Sequence, residues 1–270
     1  MVGRSSNAGR INVWRSICQS VQGGRHRLDG ADCQDHSLVR YIGDATKGAL
    51  IACVADGAGT SSLGSLGSRL SCEAIARLAM NRFEETQTLA DLQLTEVVQW
   101  CERARRHIEG VAESRHREIR DFATTLCGAV IARRQSIFFQ IGDGAIVARR
   151  HGALGVVFWP QSGEYLNTTS FLTSPDFQER LQVRLVQGGF TDVALFTDGV
   201  ERLALQFDSL TPHAPFFYPL FAEVRAIQDV DALAEDLKRF LESDSVTKMN
   251  DDDKTLLLAC RIADEVRHVA

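Results

Sequence analysis

Short apolar runs that end on an Asp-Gly pair recur along this 270-residue chain. Three such runs are Leu50 to Ala55 before Asp56-Gly57, Ile137 to Gly142 before Asp143-Gly144, and Val193 to Thr197 before Asp198-Gly199. Apolar runs bounded by turn residues are typical of buried strands. A single Asp-Gly is most often only a turn. Its recurrence instead favours carboxylates that meet hard cations, because a carboxylate at the tip of a buried strand is costly without positive charge nearby.

A further run of aspartates fits the same interpretation. Asp251, Asp252 and Asp253 come directly before the strand-like run from Thr255 to Cys260. Near the N-terminus, Asp29, Asp32, Gln34, Asp35 and His36 gather around Cys33.

A chain of this length can form one domain or two small ones. The chain is 44% hydrophobic, which is enough to bury a substantial core, and it shows no composition break that would mark a linker. We therefore predict a single domain over residues 1–270, with a core at about 11–265 and a flexible segment at 1–10. A net charge of -5 argues against nucleic acid or an anionic membrane as a partner.

The chain also lacks the sequence marks of secretion. No apolar run approaches the roughly 20 residues that span a bilayer, and Met1 to Arg10 has no apolar signal-peptide core. The 7 cysteines are odd in number and lie mostly in apolar segments. These features predict a reduced, cytoplasmic protein.

Hydrophobic periodicity predicts an α+β fold. Helices are expected around Leu66 to Ala79, from Asp91 to about Ile119, and from Asp231 to Leu241. Strands are expected at 11–21, 37–42, 50–55, 124–132, 136–141, 145–149, 155–159, 181–187, 192–197 and 255–262, with the four from 124 to 159 forming an antiparallel meander. Residues Gly23 to Arg27 are expected to form a loop. Helices grouped between mostly antiparallel strands favour α+β layering over a parallel doubly wound sheet.

Five short segments in order resemble the metal-dependent serine/threonine protein phosphatases of the type 2C class. They are Val54 to Gly59, Ala123 to Leu126, Ile141 to Gly144, Phe196 to Val200, and Asp252 to Thr255. The resemblance covers nearly the whole chain, from about Gly23 to Ile262. Gly23 to His26, Ala31 to Asp35 and Gly163 to Thr173 are similar to signatures of a bacterial type 2C-like subgroup.

The resemblance implies a four-layer α-β-β-α sandwich of two mainly antiparallel sheets flanked by helices. It also implies a signalling hydrolase that cleaves phosphoserine and phosphothreonine esters with a water activated between two Mn²⁺ or Mg²⁺ ions.

The resemblance also assigns residues to the metals by position. Asp56 would bridge the metals, and the Gly57 carbonyl would bind one of them. Asp198 and Asp252 would complete the other, and Asp35 would lie at the edge of the pair. Asp143 would belong to a weaker third metal position shared with Asp198. The catalytic set is thus Asp35, Asp56, Asp198 and Asp252. Oxygen ligands without a thiolate or imidazole cluster suit Mg²⁺ and Mn²⁺.

This chain departs from the family pattern at three positions. Gly30 stands where many relatives carry an Arg that holds the substrate phosphate, Gln34 replaces a frequent Glu, and Ala58 stands where some relatives carry a His. We therefore expect Arg25, His26 or Arg27 to contact the substrate phosphate. An ordinary role in a solvated loop is the alternative for these three residues.

Other functions stay open at this level. One alternative is a catalytically weak type 2C fold that binds phosphoprotein or regulates a kinase, and another is a phosphoesterase for a small metabolite. The presence of all four catalytic aspartates favours an enzyme, because a binding module would not need them. The expected partner is a phosphorylated protein, either a serine/threonine kinase or its target. The Pro-rich insert from Thr211 to Phe221 either docks a partner or packs on the core as a loop.

Overall fold

A computed structural model of the protein describes residues 14–44, 47–161 and 169–262. Residues 11–13 of the predicted first strand, the N-terminal segment 1–10, residues 163–168 of one subgroup signature, and residues 263–265 of the predicted core lie outside the described residues. Two five-stranded sheets, antiparallel throughout, account for most of the strands.

Sheet I contains, in spatial order, β1 (Trp14–Val21), β12 (Lys254–Arg261), β9 (Asp192–Phe196), β6 (Ala145–Arg150) and β7 (Ala153–Phe158). Sheet II contains β2 (Asp35–Ile42), β3 (Ala49–Asp56), β4 (Leu126–Ala132), β5 (Gln135–Ile141) and β8 (Gln182–Gln187). A small ribbon is formed by β10 (Leu205–Gln206) and β11 (Thr211–Pro212). The strand periodicity thus identified the strands of both sheets to within about three residues at each described end.

Helices cover the outer face of each sheet. The helices of the described residues are α1 (Gly24–Asp29), α2 (Gly64–Thr86), α3 (Leu94–Ser114), α4 (Phe177–Arg180), α5 (Asp198–Ala204), α6 (Ala214–Ala226), α7 (Val230–Leu241) and α8 (Asp244–Thr247), with a short 3-10 helix at Ile119–Phe122. One apolar cluster joins α2 and α3 to sheet II, and another joins α6 and α7 to sheet I. The predicted α-β-β-α layering is confirmed.

A third apolar cluster fills the space between the two sheets. Leu50, Val54 and Phe138 of sheet II share it with Leu195 and Leu257 of sheet I, and all five are buried. Apolar packing of this kind is the main favourable contribution to folding. It also holds the strand ends of the two sheets side by side.

Four local predictions were wrong. The four strands from 124 to 159 do not form one meander, since β5 pairs in sheet II whereas β6 pairs in sheet I. The chain therefore crosses between the sheets at Gly142 and Asp143. Residues 24–27 belong to helix α1 rather than to a loop, and the backbone N–H of Arg25 donates to the Asp251 carbonyl (3.2 Å).

The other two corrections concern helix boundaries. The second long helix is α3, which ends at Ser114, because a reversal at His116 (φ 54°) separates it from the 3-10 helix. The Pro-rich insert continues into helix α6 rather than forming a loop. Phe217 and Phe221 of that helix are fully buried against sheet I, so most of its apolar surface is core.

Candidate functional site

Strand ends from both sheets bring acidic side chains to one end of the sandwich. Asp35 opens β2 and Asp56 closes β3, and the two face each other directly across the antiparallel pair. Like charges directly opposite on neighbouring strands are destabilising. Such a pair persists in a fold only where a proton or a cation offsets the repulsion.

Further carboxylates lie at the same end of the sandwich, next to sheet I. Asp198 opens α5 directly after β9, and Asp252 lies just before β12. Asp143 lies where the chain crosses from sheet II to sheet I. These three residues, together with Asp56, line one cavity of about 240 Å³.

Burial and mutual repulsion alter the acidity of these groups. Burial raises the pKa of Asp56 well above its usual range, with the charges of Asp35, Asp198 and Asp143 raising it further. The same causes raise the pKa of Asp198 to about 8. Burial raises the pKa of Asp35 to about 7, although hydrogen bonds with Thr197 and Thr255 act in the opposite direction.

Threonine side chains form hydrogen bonds with the acidic residues. Thr197 Oγ1 donates to Asp35 Oδ2 (2.7 Å), and Thr169 Oγ1 donates to Asp143 Oδ2 (2.7 Å). The Asp56 backbone is fixed by the N–H, which donates to Thr125 Oγ1 (2.9 Å), and by the carbonyl, which accepts from Thr124 Oγ1 (3.0 Å). These threonines lie within the motif segments, but no pattern in the sequence predicted a role for them.

The residues fit a hard divalent cation. Among the described residues, Asp35 Oδ1 and Asp198 Oδ1 are buried oxygens without a hydrogen-bond partner, and an unpaired buried carboxylate oxygen is costly unless it holds a proton or meets a cation. No three His, Cys, Asp or Glu side chains in the described part of the chain are grouped tightly enough to hold an ion alone. A backbone carbonyl such as that of Gly57 and water would have to complete the coordination, as Mg²⁺ and Mn²⁺ commonly require.

The three expected phosphate contacts have different positions. Arg25 and His26 line the cavity with the carboxylates. Arg27 lies outside that lining, and its exposed guanidinium donates weakly to the Gln22 carbonyl (3.4 Å). Arg25 is the exposed guanidinium next to the carboxylates, whereas His26 is buried.

Asp253 was not predicted as a site residue, yet it joins three parts of the site. Its Oδ1 accepts from the Gly23 N–H (2.6 Å) and its Oδ2 from the Gln34 N–H (2.6 Å). His26 Nδ1 lies 2.9 Å from the same Oδ2. The run of three aspartates was the available signal, although nothing in it distinguished the buried anchor Asp253 from the cavity-lining Asp252.

Gln34, which replaces a frequent Glu, lies beneath the Asp56-Gly57 turn. With its amide oriented to donate, Gln34 reaches the carbonyls of Gly57 (2.9 Å) and Ala58 (2.8 Å). A carboxylate at this position would face two carbonyl oxygens, so the neutral amide suits this turn better.

Comparisons with known proteins agree on one family. The family model described as protein phosphatase 2C matches residues 22–242. The serine/threonine-protein phosphatase 3 of Escherichia coli (strain K12) is 36% identical over 251 residues, which are 91% of this chain and 98% of that protein.

Solved structures show the same fold at low sequence identity. The catalytic domain of the phosphatase PstP in complex with 2 manganese ions has a TM-score of 0.60 and 18% identity, covering 93% of this chain and 99% of that one. RsbX in complex with magnesium has a TM-score of 0.55 and 16% identity, covering 92% and 96% of the two chains.

Proposed function

Because this chain belongs to the protein phosphatase 2C family, we propose that its acidic cavity hydrolyses phosphoserine and phosphothreonine esters of proteins. The observation that carries the proposal is the convergence of Asp56, Asp143, Asp198 and Asp252 on one cavity that Arg25 also lines. The carboxylates suit cations and the guanidinium suits a phosphate dianion.

We assign the cofactor role to two Mn²⁺ or Mg²⁺ ions held by Asp56, the Gly57 carbonyl, Asp198 and Asp252, with Asp35 at their edge. When bound, such ions neutralise phosphoryl charge and lower the pKa of the attacking water. Asp143, which Thr169 orients, would serve a third and weaker position. The raised pKa values of Asp35 and Asp198 support this assignment, because a nearby cation would keep both groups ionised.

A groove beside the cavity gives a protein substrate room to bind. It measures about 550 Å³ and shares Ala58, Thr60 and Phe171 with the cavity. Ile119 and Pro175 add apolar surface farther along. A peptide segment that flanks the phosphorylated residue fits this groove, whereas a small metabolite would have no need of it.

The chemistry of the ester suggests the partner, and the cysteines suggest the compartment. A kinase makes the ester that this site would cleave, so the substrate is a serine/threonine kinase or a target of one. We place the reaction in the cytoplasm, because 7 cysteines, an odd number, suit a reducing compartment. No helix among the described residues is long and apolar enough to cross a membrane.

The test is release of phosphate from a phosphothreonine peptide by the full chain. Activity should require Mn²⁺ or Mg²⁺, stop with excess EDTA and return when metal is restored. Asp56→Asn should abolish turnover while the circular dichroism spectrum stays that of the wild type. Asp208→Asn makes the same chemical change at an exposed position outside the cavity lining and is the matched control. Full activity after exhaustive chelation would refute the assignment.

A further inference from the structure

The buried imidazole of His26 lies in the acidic cavity with a carboxylate behind it. His26 is only 7% exposed and lines the cavity together with Asp56 and Asp198. Its Nδ1 lies 2.9 Å from Asp253 Oδ2, at an angle outside that of a hydrogen bond. Hydrogen bonds of catalytic groups are often poorly aligned before the substrate binds.

Asp253 is built to hold this ring rather than to bind substrate. It is 2% exposed, does not line the cavity, and its two oxygens accept from the Gly23 and Gln34 backbone N–H groups. A carboxylate beside Nδ1 orients the ring and keeps a proton on that nitrogen, so a proton on Nε2 belongs to the imidazolium form. The other nitrogen, Nε2, lies beside the turn that follows Asp56, since a Cβ added at Gly59 would be 3.8 Å from it.

Hydrolysis of a serine or threonine phosphoester needs a proton donor on the leaving side. The departing alkoxide is strongly basic, so protonation as the P–O bond breaks contributes typically 10²- to 10⁴-fold. Arg25 cannot supply the proton because a guanidinium does not deprotonate in proteins, and Ala58 has no acidic group. In the described part of the chain, His26 is the one imidazole in the cavity lining.

We propose that His26, positioned by Asp253, is the general acid that protonates the leaving serine or threonine oxygen. This inference rests on the proposed phosphatase function. A water oxygen forms the new bond to phosphorus, the bond from phosphorus to the side-chain oxygen breaks, and that oxygen takes the proton from His26 Nε2. The proton that the attacking water loses balances the one that restores His26, so the products are a free hydroxyl and inorganic phosphate.

The experiment compares leaving groups. Wild type, His26→Gln and the control His107→Gln, a change on α3 outside the cavity, are assayed on a phosphothreonine peptide and on aryl phosphates whose phenols span a range of pKa values. We expect His26→Gln to lower kcat on the peptide by roughly 10²-fold or more, as loss of a general acid does. It should lower turnover of the most acidic phenol far less, so the dependence of log kcat on leaving-group pKa should steepen. His107→Gln should match the wild type throughout.

A second variant tests the positioning role of Asp253, and a binding measurement shows whether the site remains folded in His26→Gln. Asp253→Asn keeps the size of the side chain and should steepen the same dependence by a smaller amount. Mn²⁺ affinity, measured by calorimetry, should stay near that of the wild type in His26→Gln. An equal loss on every substrate, or an unchanged leaving-group dependence in both variants, would overturn the role of His26. Absence of any phosphatase activity in the wild type would instead refute the proposed function.

Discussion

Hydroxyl groups set the orientation of individual carboxylates in the cavity. Thr197 illustrates the arrangement, since its Oγ1 donates to Asp35 (2.7 Å) and also accepts from the Thr255 N–H (3.0 Å). The hydroxyl thereby links β2 of sheet II to β9 and β12 of sheet I. A ligand orientation that depends on such a bond should weaken when the bond is removed.

Thr197→Val keeps the shape of the side chain and deletes its hydrogen bonds. Loss of a group that orients a metal ligand typically costs 10- to 100-fold in metal affinity or activity, so we expect Mn²⁺ affinity to fall by roughly that factor. Calorimetric titration measures it directly. Thr211→Val, at an exposed position of the small β10-β11 ribbon, is the control and should leave the affinity unchanged.

Arg25 and Arg27 are two residues apart yet differ in position relative to the cavity. If Arg25 holds the substrate phosphate, Arg25→Ala should raise KM by tenfold or more, because a hydrogen bond to a charged group contributes about 1.5–3 kcal/mol. Arg27→Ala should change KM little. Steady-state kinetics on a phosphothreonine peptide compares them, and equal effects of the two changes would contradict this assignment.

At the scale of elements, the segment from Asp251 to Asp253 is enclosed by two glycines. A Cβ at Gly23 would lie 2.3 Å from the Asp252 carbonyl carbon, and a Cβ at Gly199 would lie 1.9 Å from the Asp253 carbonyl oxygen. Both distances are far inside van der Waals contact. The start of α1 and the first turn of α5 therefore approach this segment so closely that only glycine fits.

Gly199→Ala should displace the segment that carries Asp252 and Asp253. Steric strain of this kind typically costs about 1–3 kcal/mol, and we expect a lower melting temperature together with a large loss of turnover. Gly155→Ala is the matched control, because a Cβ there would meet nothing within 4 Å. Thermal unfolding and phosphatase assays of both variants check the expectation.

Two of the helices that the sequence did not reveal are short and depend on distant parts of the chain. Helices α1 and α5 are six and seven residues long, too short for a clear hydrophobic period, and the start of α1 is fixed by a bond to Asp251. The change of sheet at Asp143 has no local signal, because two apolar runs joined by the short Gly142 to Gly144 turn look like a hairpin in the sequence. In contrast, β3, β9 and β12 were predicted well, since each is a continuous apolar run.

The candidate site also combines residues that local sequence reveals with residues that depend on distant contacts. Aspartates at strand ends are visible as sequence neighbours of apolar runs, and all of those predicted to hold metal, apart from Asp35, line the cavity. Asp253 accepts a hydrogen bond from Gln34, which is 219 residues away along the chain, and Thr197 donates one to Asp35, which is 162 residues away. Such contacts follow from the packing of the two sheets and cannot be read from local pattern.

On the scale of the whole molecule, the acidic end of the sandwich couples stability to pH and to cations. Raised pKa values of Asp35 (about 7) and Asp198 (about 8) mean that the folded state retains protons that the unfolded chain, with carboxyl pKa values near 3.8, has already released. The free energy of unfolding of the metal-free protein should therefore fall as pH rises from about 4 to about 8.

Thermal unfolding of EDTA-treated protein at pH 6 and pH 8.5 measures this dependence. We expect the melting temperature to be lower at pH 8.5 by at least about 2 °C, which corresponds to roughly 1 kcal/mol in a domain of this size. Excess Mn²⁺ should reverse the difference, since ligand binding stabilises the folded state. Asp35→Asn should make the melting temperature depend less on pH. If the metal-free wild type were more stable at pH 8.5 than at pH 6, the predicted pH dependence would be wrong.

The apolar layer between the sheets also has a consequence for evolution and engineering. Asp35 and Asp56 belong to sheet II, whereas Asp198 and Asp252 adjoin sheet I. The layer that contains Phe138 and Leu195 lies between the two sheets. Its thickness therefore determines how far apart the two halves of the site lie. Changes of side-chain volume in this layer can therefore tune the preference between a smaller and a larger cation without altering any residue that touches it.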